Sequence, residues 1–191
     1  EGLAEDVRYY GAWMRAEAEK RIGHLYPKVS AVRQDNGTYR HAAETEIRDP
    51  KGKVESLIVI AWLWARTVAS PNPAAKNVHV PLVSSFWLST KPGKETWVHP
   101  VVKQGEAPAW NFEIREGKTE DKAAVTAGTK TGRGANFRCI ISDSPIEPDY
   151  IKAEGVAHRM GTRLMAIVCE GKRGRIYLPP TNESESIAAS A

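Results

Sequence analysis

Residues 57–88, LIVIAWLWARTVASPNPAAKNVHVPLVSSFWL, constrain the fold more than any other stretch of the chain. From Leu57 to Val68 the residues are β-branched, aromatic or otherwise apolar on both alternations, with Ile58, Ile60, Trp62 and Trp64 on one side and Leu57, Val59, Ala61 and Leu63 on the other. That pattern predicts a central strand covered on both faces. Ser70-Pro71-Asn72-Pro73 cannot continue it, because two prolines remove ladder donors and fix φ. A second strand-like run follows from Val78 to Leu88, so the chain turns back through a tight knuckle.

The rest of the chain supplies partners for that strand. Leu3, Val7, Tyr10, Met14, Ala18, Ile22 and Leu25 step by three or four and predict an amphipathic helix packed on the sheet, stopped by Gly23 and Tyr26-Pro27. Residues 30–56 favour neither strand nor helix. Lys91-Pro92-Gly93-Lys94 predicts a type II turn, and its return strand, Glu95 to Val102, carries Pro100, which confines it to an edge or a bulge. Trp110, Phe112 and Ile114 alternate with polar residues as a half-buried strand does. Gly117 to Gly134 reads as a mobile surface loop, and Phe137 to Ile141 as a short strand ending in a second knuckle, Ser142-Asp143-Ser144-Pro145. Glu147-Pro148-Asp149 starts a short helix, interrupted by Gly155 and closed by Gly161. Leu164–Cys169 and Arg175–Leu178 form a final hairpin around Gly171-Lys172-Arg173-Gly174. The predicted class is α+β: a mostly antiparallel, twisted sheet in one domain over residues 1–180, followed by a flexible tail or linker over 181–191.

Composition narrows the function less than the fold. A length of 191 residues suffices for one core, and 27 Lys+Arg against 23 Asp+Glu permit an anionic partner without demanding one. Two cysteines argue against a disulfide framework, and the lack of a signal peptide or long apolar span predicts a cytoplasmic, membrane-free protein. The start at Glu1 and the small polar ending predict a piece of a longer chain. His24, His41, His79, His99 and His158 have no metal-ligand spacing, no nucleophile elbow occurs, and Gly128 to Gly134 does not give the G-x-G-x-x-G cofactor loop. Cys139 and Cys169 lie in apolar runs and read as buried small hydrophobes. Positive charge is the remaining signal. Lys130, Arg133 and Arg138 lie in or beside a glycine-rich loop, and Arg159, Arg163, Lys172, Arg173 and Arg175 face a single acid, Glu170, in the following stretch. These eight residues are candidate DNA-phosphate contacts, with an ordinary solvated face as the alternative.

Three blocks carry a resemblance. They are EDVRYYGAWMRAEAEKRIGHLYP at the start, WARTV-x-x-PNPA with PL-x-x-SFWLS in the middle, and DYIKAEGVAHRMGTRLMAIVCEGKRGRIYLPPT near the end. In this order they resemble the internal segment of a family of adenine-specific DNA methylases that contain a domain of unknown function. The family's knuckle reads Cys-Pro-Asn-Pro-Ala-Cys, and a later Cys-x-x-Cys pair completes a zinc ribbon. Here those positions are Ser70, Ala75, Cys139 and Ser142, so one sulfur of four remains and no structural zinc is expected. The resemblance therefore implies a degenerate ribbon-like lobe built from residues 57–90 and 135–146. No Asp/Asn/Ser-Pro-Pro-aromatic tetrapeptide is present, so this segment is expected to be non-catalytic and to hold no cofactor. S-adenosylmethionine is implied only for the parent methyltransferase, with DNA and the flanking catalytic domain as partners. Two roles stay open: DNA contact or target recognition, and an interdomain scaffold or protein-interaction module.

Overall fold

The computed structural model describes residues 2–48, 54–75, 78–103, 109–171 and 174–190. Among the described residues, five α-helices and eleven strands form an α+β arrangement in which every strand pairing is antiparallel. The long strand β3 (Val54–Ala69) lies at the middle of the larger sheet, as its composition predicts. On one side it pairs with β1 (Lys28–Arg33), which pairs in turn with β2 (Tyr39–His41). On the other it pairs with β10 (Gly161–Gly171), followed by β11 (Gly174–Leu178), and its last residues also pair with β4 (His79–Leu82). A second sheet is ordered β5 (Trp87–Ser89), β6 (Thr96–Lys103), β7 (Ala109–Glu116), and β8 (Phe137–Arg138) pairs with β9 (Pro145–Ile146).

Three apolar clusters hold these pieces together. The first lies between the two sheets: Phe86, Trp97, Val98, Trp110, Phe112 and Ile114 meet Ala65, Ala166, Val168 and Tyr177. β7 supplies its half with the alternation read from sequence, since Trp110, Phe112 and Ile114 are buried and the residues between them are exposed. The second cluster gathers Leu57, Val59, Leu164, Ile167 and Cys169 on the opposite face of the large sheet, with Ala188 packed against it. The third joins Val68 and Val80 to Cys139 and Ile146, beneath α4 (Pro148–Val156).

Several expectations change in the fold. The opening helix α1 (Gly2–Ile22) forms, favoured by its Ala, Glu, Arg, Met and Lys content and a Glu17–Arg21 pair at 2.9 Å, but its apolar stripe is not buried on the sheet, which it meets through an exposed Arg15–Glu170 pair at 3.3 Å. None of its described residues is buried. A stripe at helical spacing creates the possibility of burial, and only a neighbouring surface realises it. Residues 30–56, left open by their pattern, contribute most of β1, all of β2, the helix α2 (Glu44–Arg48) and the start of β3. The expected loop before Gly134 contains α3 (Lys122–Ala127), capped by the Asp121 carboxylate, which accepts from the Ala124 N–H at 2.8 Å. The closing residues form α5 (Asn182–Ser190) instead of a free tail, and Glu185 there accepts from the Leu164 N–H at 2.9 Å.

The strand details also shift. The run from Val78 to Leu88 is divided between two sheets, as β4 and β5. Ile60 is 40 % exposed because β3 and β10 slip register between Val59 and Ala61, which breaks the alternation. β6 is the middle strand of its sheet, yet β5 pairs only with Thr96 and Trp97, so Pro100 lies where β6 is open on that side. α4 runs past Gly155 to Val156, and Gly161 opens β10 instead of closing the helix. The Lys91–Lys94 turn forms as read, with the Lys94 N–H donating to the Lys91 carbonyl at 2.9 Å and Gly93 at φ 73°. Among the described residues, no helix is long and apolar enough to cross a membrane.

Candidate functional site

Two knuckles far apart in sequence meet in the third cluster. In the first, the Ser70 N–H donates to the Val78 carbonyl at 2.8 Å, and the Ala75 N–H donates to the Asn72 carbonyl at 3.0 Å. The Ser70 hydroxyl accepts from the Asn72 N–H at 3.3 Å. In the second, the Cys139 N–H donates to the Ser144 carbonyl and the Asp143 N–H to the Cys139 carbonyl, each at 2.9 Å, with Asp143 at φ 57°. Asp143 is one of the residue types that tolerates this left-handed turn.

Ser70 Oγ and Cys139 Sγ lie 3.3 Å apart and are buried, although 69 positions separate them. Ala75 is 3 % exposed at the end of the first knuckle. Burial opposes ionisation of Cys139, but hydrogen bonds from Ser142, Ser70 and the Ser142 and Ile141 backbones outweigh it and lower the thiol pKa. Cys169, fully enclosed, is pushed the other way by burial alone, to about 12. The donor set at the knuckles is thus one thiol, two hydroxyls and a methyl. Among the described residues, no group of three or more His, Cys, Asp or Glu is placed to hold a metal. Val68, Val80 and Ile146, each essentially buried, contribute about 1.5–3 kcal/mol apiece to holding the knuckles together.

The described basic candidates do not form one patch. Arg138 is paired with Asp143 at 3.2 Å, and Arg159 with Glu154 at 2.6 Å. Hydrogen bonding from Arg159 lowers the Glu154 carboxyl pKa against the opposing effect of burial. Arg163 is paired with Glu185 at 3.3 Å and lies 5.6 Å from the Trp110 ring centroid. Lys130, Arg133 and Arg175 make no ion pair among the described residues. Lys130 and Arg138 share one neighbourhood, because Lys130 bridges to Phe137 beside Arg138. Arg175 faces Glu170 across the last hairpin, roughly 23 Å along β10 from Arg163 at the usual strand rise. Lys172 and Arg173 lie outside the described residues.

No family model matches this chain. Searches of curated proteins and of solved structures likewise return no match.

A cleft also lies where no local sequence pattern marks a site. A cleft of about 590 Å³ opens beside Trp64 and Arg66, with Leu82, Phe137, Met160 and Met165 among its apolar lining and Ser84 at its edge. Trp64 and Arg66 are exposed and stand two residues apart on β3, on one face of the sheet. The visible signal was the WLWAR run, which reads as continuous core until the register of β3 is known. Phe137 and Met160 reach the cleft from elements that no local pattern assigns to it.

Proposed function

We propose that this chain is a non-catalytic internal domain of an S-adenosylmethionine-dependent, adenine-specific DNA methyltransferase, and that it serves as an interdomain scaffold. The family assignment is supported by the three ordered sequence blocks and by the meeting of Ser70 with Cys139, positions the resemblance pairs in a lost zinc ribbon. The scaffolding role is carried by α1. Leu3 is 79 % exposed and Trp13 57 %, with Val7, Tyr9, Tyr10 and Met14 also exposed along about three turns of neighbouring helix surface. So large an apolar surface marks an interaction site.

DNA contact becomes the second reading. Arg138, Arg159 and Arg163 are paired with acids of the same chain, which leaves Lys130 and Arg133 beside the glycine-rich loop, and Arg175 on the last hairpin, as its support among the described residues. Val7→Asp/Tyr10→Asp/Met14→Asp tests the first reading. It leaves the melting of this chain unchanged, because none of the three side chains is buried, and it abolishes association with the catalytic segments of the methylase. A triple variant that associates as well as the parent refutes scaffolding through α1. For the second reading, duplex affinity is measured at two salt concentrations. Joint removal of Arg133, Lys172 and Arg173 then reduces the salt slope by about one counterion for each phosphate no longer neutralised, and an unchanged slope removes DNA binding through these residues.

A further inference from the structure

We propose that the cleft beside Trp64 is a binding site for an unpaired nucleotide, a role separate from scaffolding through α1. Its chemistry is asymmetric. Most of its lining is apolar, and the polar side chains are Arg66 and Ser84. The Arg66 side chain has no ion pair or hydrogen-bond partner among the described residues, unlike those of the arginines that follow at 138, 159 and 163. A free guanidinium next to an exposed indole suits a ligand with a flat ring and one adjoining negative group. The cleft volume falls within the range of small-molecule sites. A base stacked on Trp64 places its phosphate toward Arg66, about 7 Å along the strand face. Ser84 is exposed, and its hydroxyl and main chain make no hydrogen bond among the described residues, which leaves them to meet the polar edge of the base.

An extended peptide fits this place less well, because strand addition needs a free edge. The outer edge of β4 is already occupied. The His79 carbonyl accepts from Trp110 Nε1 at 2.7 Å, and the Pro81 carbonyl accepts from the Thr129 hydroxyl at 3.1 Å. Beyond them the Val83 N–H donates to Thr129 Oγ1 at 2.9 Å, and the Val83 carbonyl accepts from the Thr129 N–H at 2.8 Å. A nucleotide asks nothing of that edge.

The same chemistry is offered by a free nucleotide and by an unpaired residue in a DNA strand. Calorimetric titration of the chain with dAMP and, separately, with a short single-stranded deoxyoligonucleotide distinguishes the sources. Equal affinity per nucleotide assigns the free ligand, and much tighter binding of the strand assigns nucleic acid. Trp64→Ala and Arg66→Ala each weaken binding by about tenfold or more, whereas Trp64→Phe, which keeps a stacking ring, retains it within about threefold. Arg66 is exposed, so Arg66→Ala keeps the parent melting temperature. Trp64 is 36 % exposed, so Trp64→Ala lowers it, and its binding is measured well below its own melting point, with Trp64→Phe as the folded control. Failure of wild type to bind either probe at millimolar concentration overturns the proposal. So does affinity unchanged by both alanine variants, or capture of an apolar acidic peptide in preference to dAMP. None of these results bears on α1, whose test uses other residues and another readout.

Discussion

Restoring three sulfurs to the knuckles tests whether they form a vestigial metal site. The variant is Ser70→Cys/Ala75→Cys/Ser142→Cys, which with Cys139 supplies four thiols. Tetrahedral zinc with Zn–S bonds of about 2.3 Å holds its sulfurs about 3.8 Å apart. Ser70 Oγ and Cys139 Sγ are 3.3 Å apart, so one edge of the tetrahedron is already close to length and the longer C–S bond of cysteine needs only a small outward adjustment. The hydrogen bonds that lower the Cys139 pKa also favour the thiolate that zinc requires.

Zinc at about a thousand times its dissociation constant would stabilise the folded variant by about 4 kcal/mol. For a chain of this size that corresponds to a rise in Tm of roughly 8–16 °C. The assay is metal content after gel filtration under reducing conditions, with melting curves in zinc and in chelator. Cys169 does not compete, because it is fully enclosed and its thiol pKa is raised to about 12. The single variant Ser70→Cys is the control on distance: with oxidant it should crosslink to Cys139. A folded triple variant that binds no stoichiometric zinc, or a Ser70→Cys variant whose thiols both remain free under oxidant, refutes the convergence of the two knuckles.

Two further perturbations probe the scaffold around the sites. Glu46 receives hydrogen bonds from Arg40 at 2.6 and 2.7 Å and from the Ala43 N–H at 2.8 Å, which together hold its carboxyl pKa at about 2 against an ordinary 4.5. Because the folded value lies below the unfolded one, its contribution is full above about pH 4.5 and is lost as pH falls toward 2. Carboxyl NMR titration should show this value rising toward normal in Arg40→Ala, and a value that does not move refutes the assignment. Gly128 at φ 62° and Gly93 at φ 73° form a contrasting pair. A Cβ on Gly128 would collide with the Val83 carbonyl and lie 2.9 Å from the Ser85 N–H, whereas one on Gly93 meets open space. Urea unfolding should show Gly128→Ala losing about 3 kcal/mol and Gly93→Ala about 1, and equal losses would refute the steric argument.

The sites differ in how they could be found. The knuckle positions were legible because prolines and a cysteine mark turns locally, and the family resemblance paired them. The basic candidates were misleading as a group, since sequence proximity does not reveal which arginines have acids at hand. Glu185 reaches Arg163 from a segment read as a tail, and Glu154 reaches Arg159 from the helix before it. The cleft was invisible for a related reason: Trp64 belongs to a run whose members are buried or exposed according to register slips in β3 and β10.

Local chemistry alone determined the central strand, the turn at Gly93, the alternation of β7 and the proline-led start of α4, because each depends on neighbours a few positions away. Whether an apolar stripe is covered was decided only in three dimensions. α1 has the periodicity of a packed helix and buries none of its described residues, while α5 docks beside Leu164 through Glu185 and Ala188. Periodicity sets which side chains share a face, but burial requires a second surface, and that surface is assembled by pairings that span most of the chain.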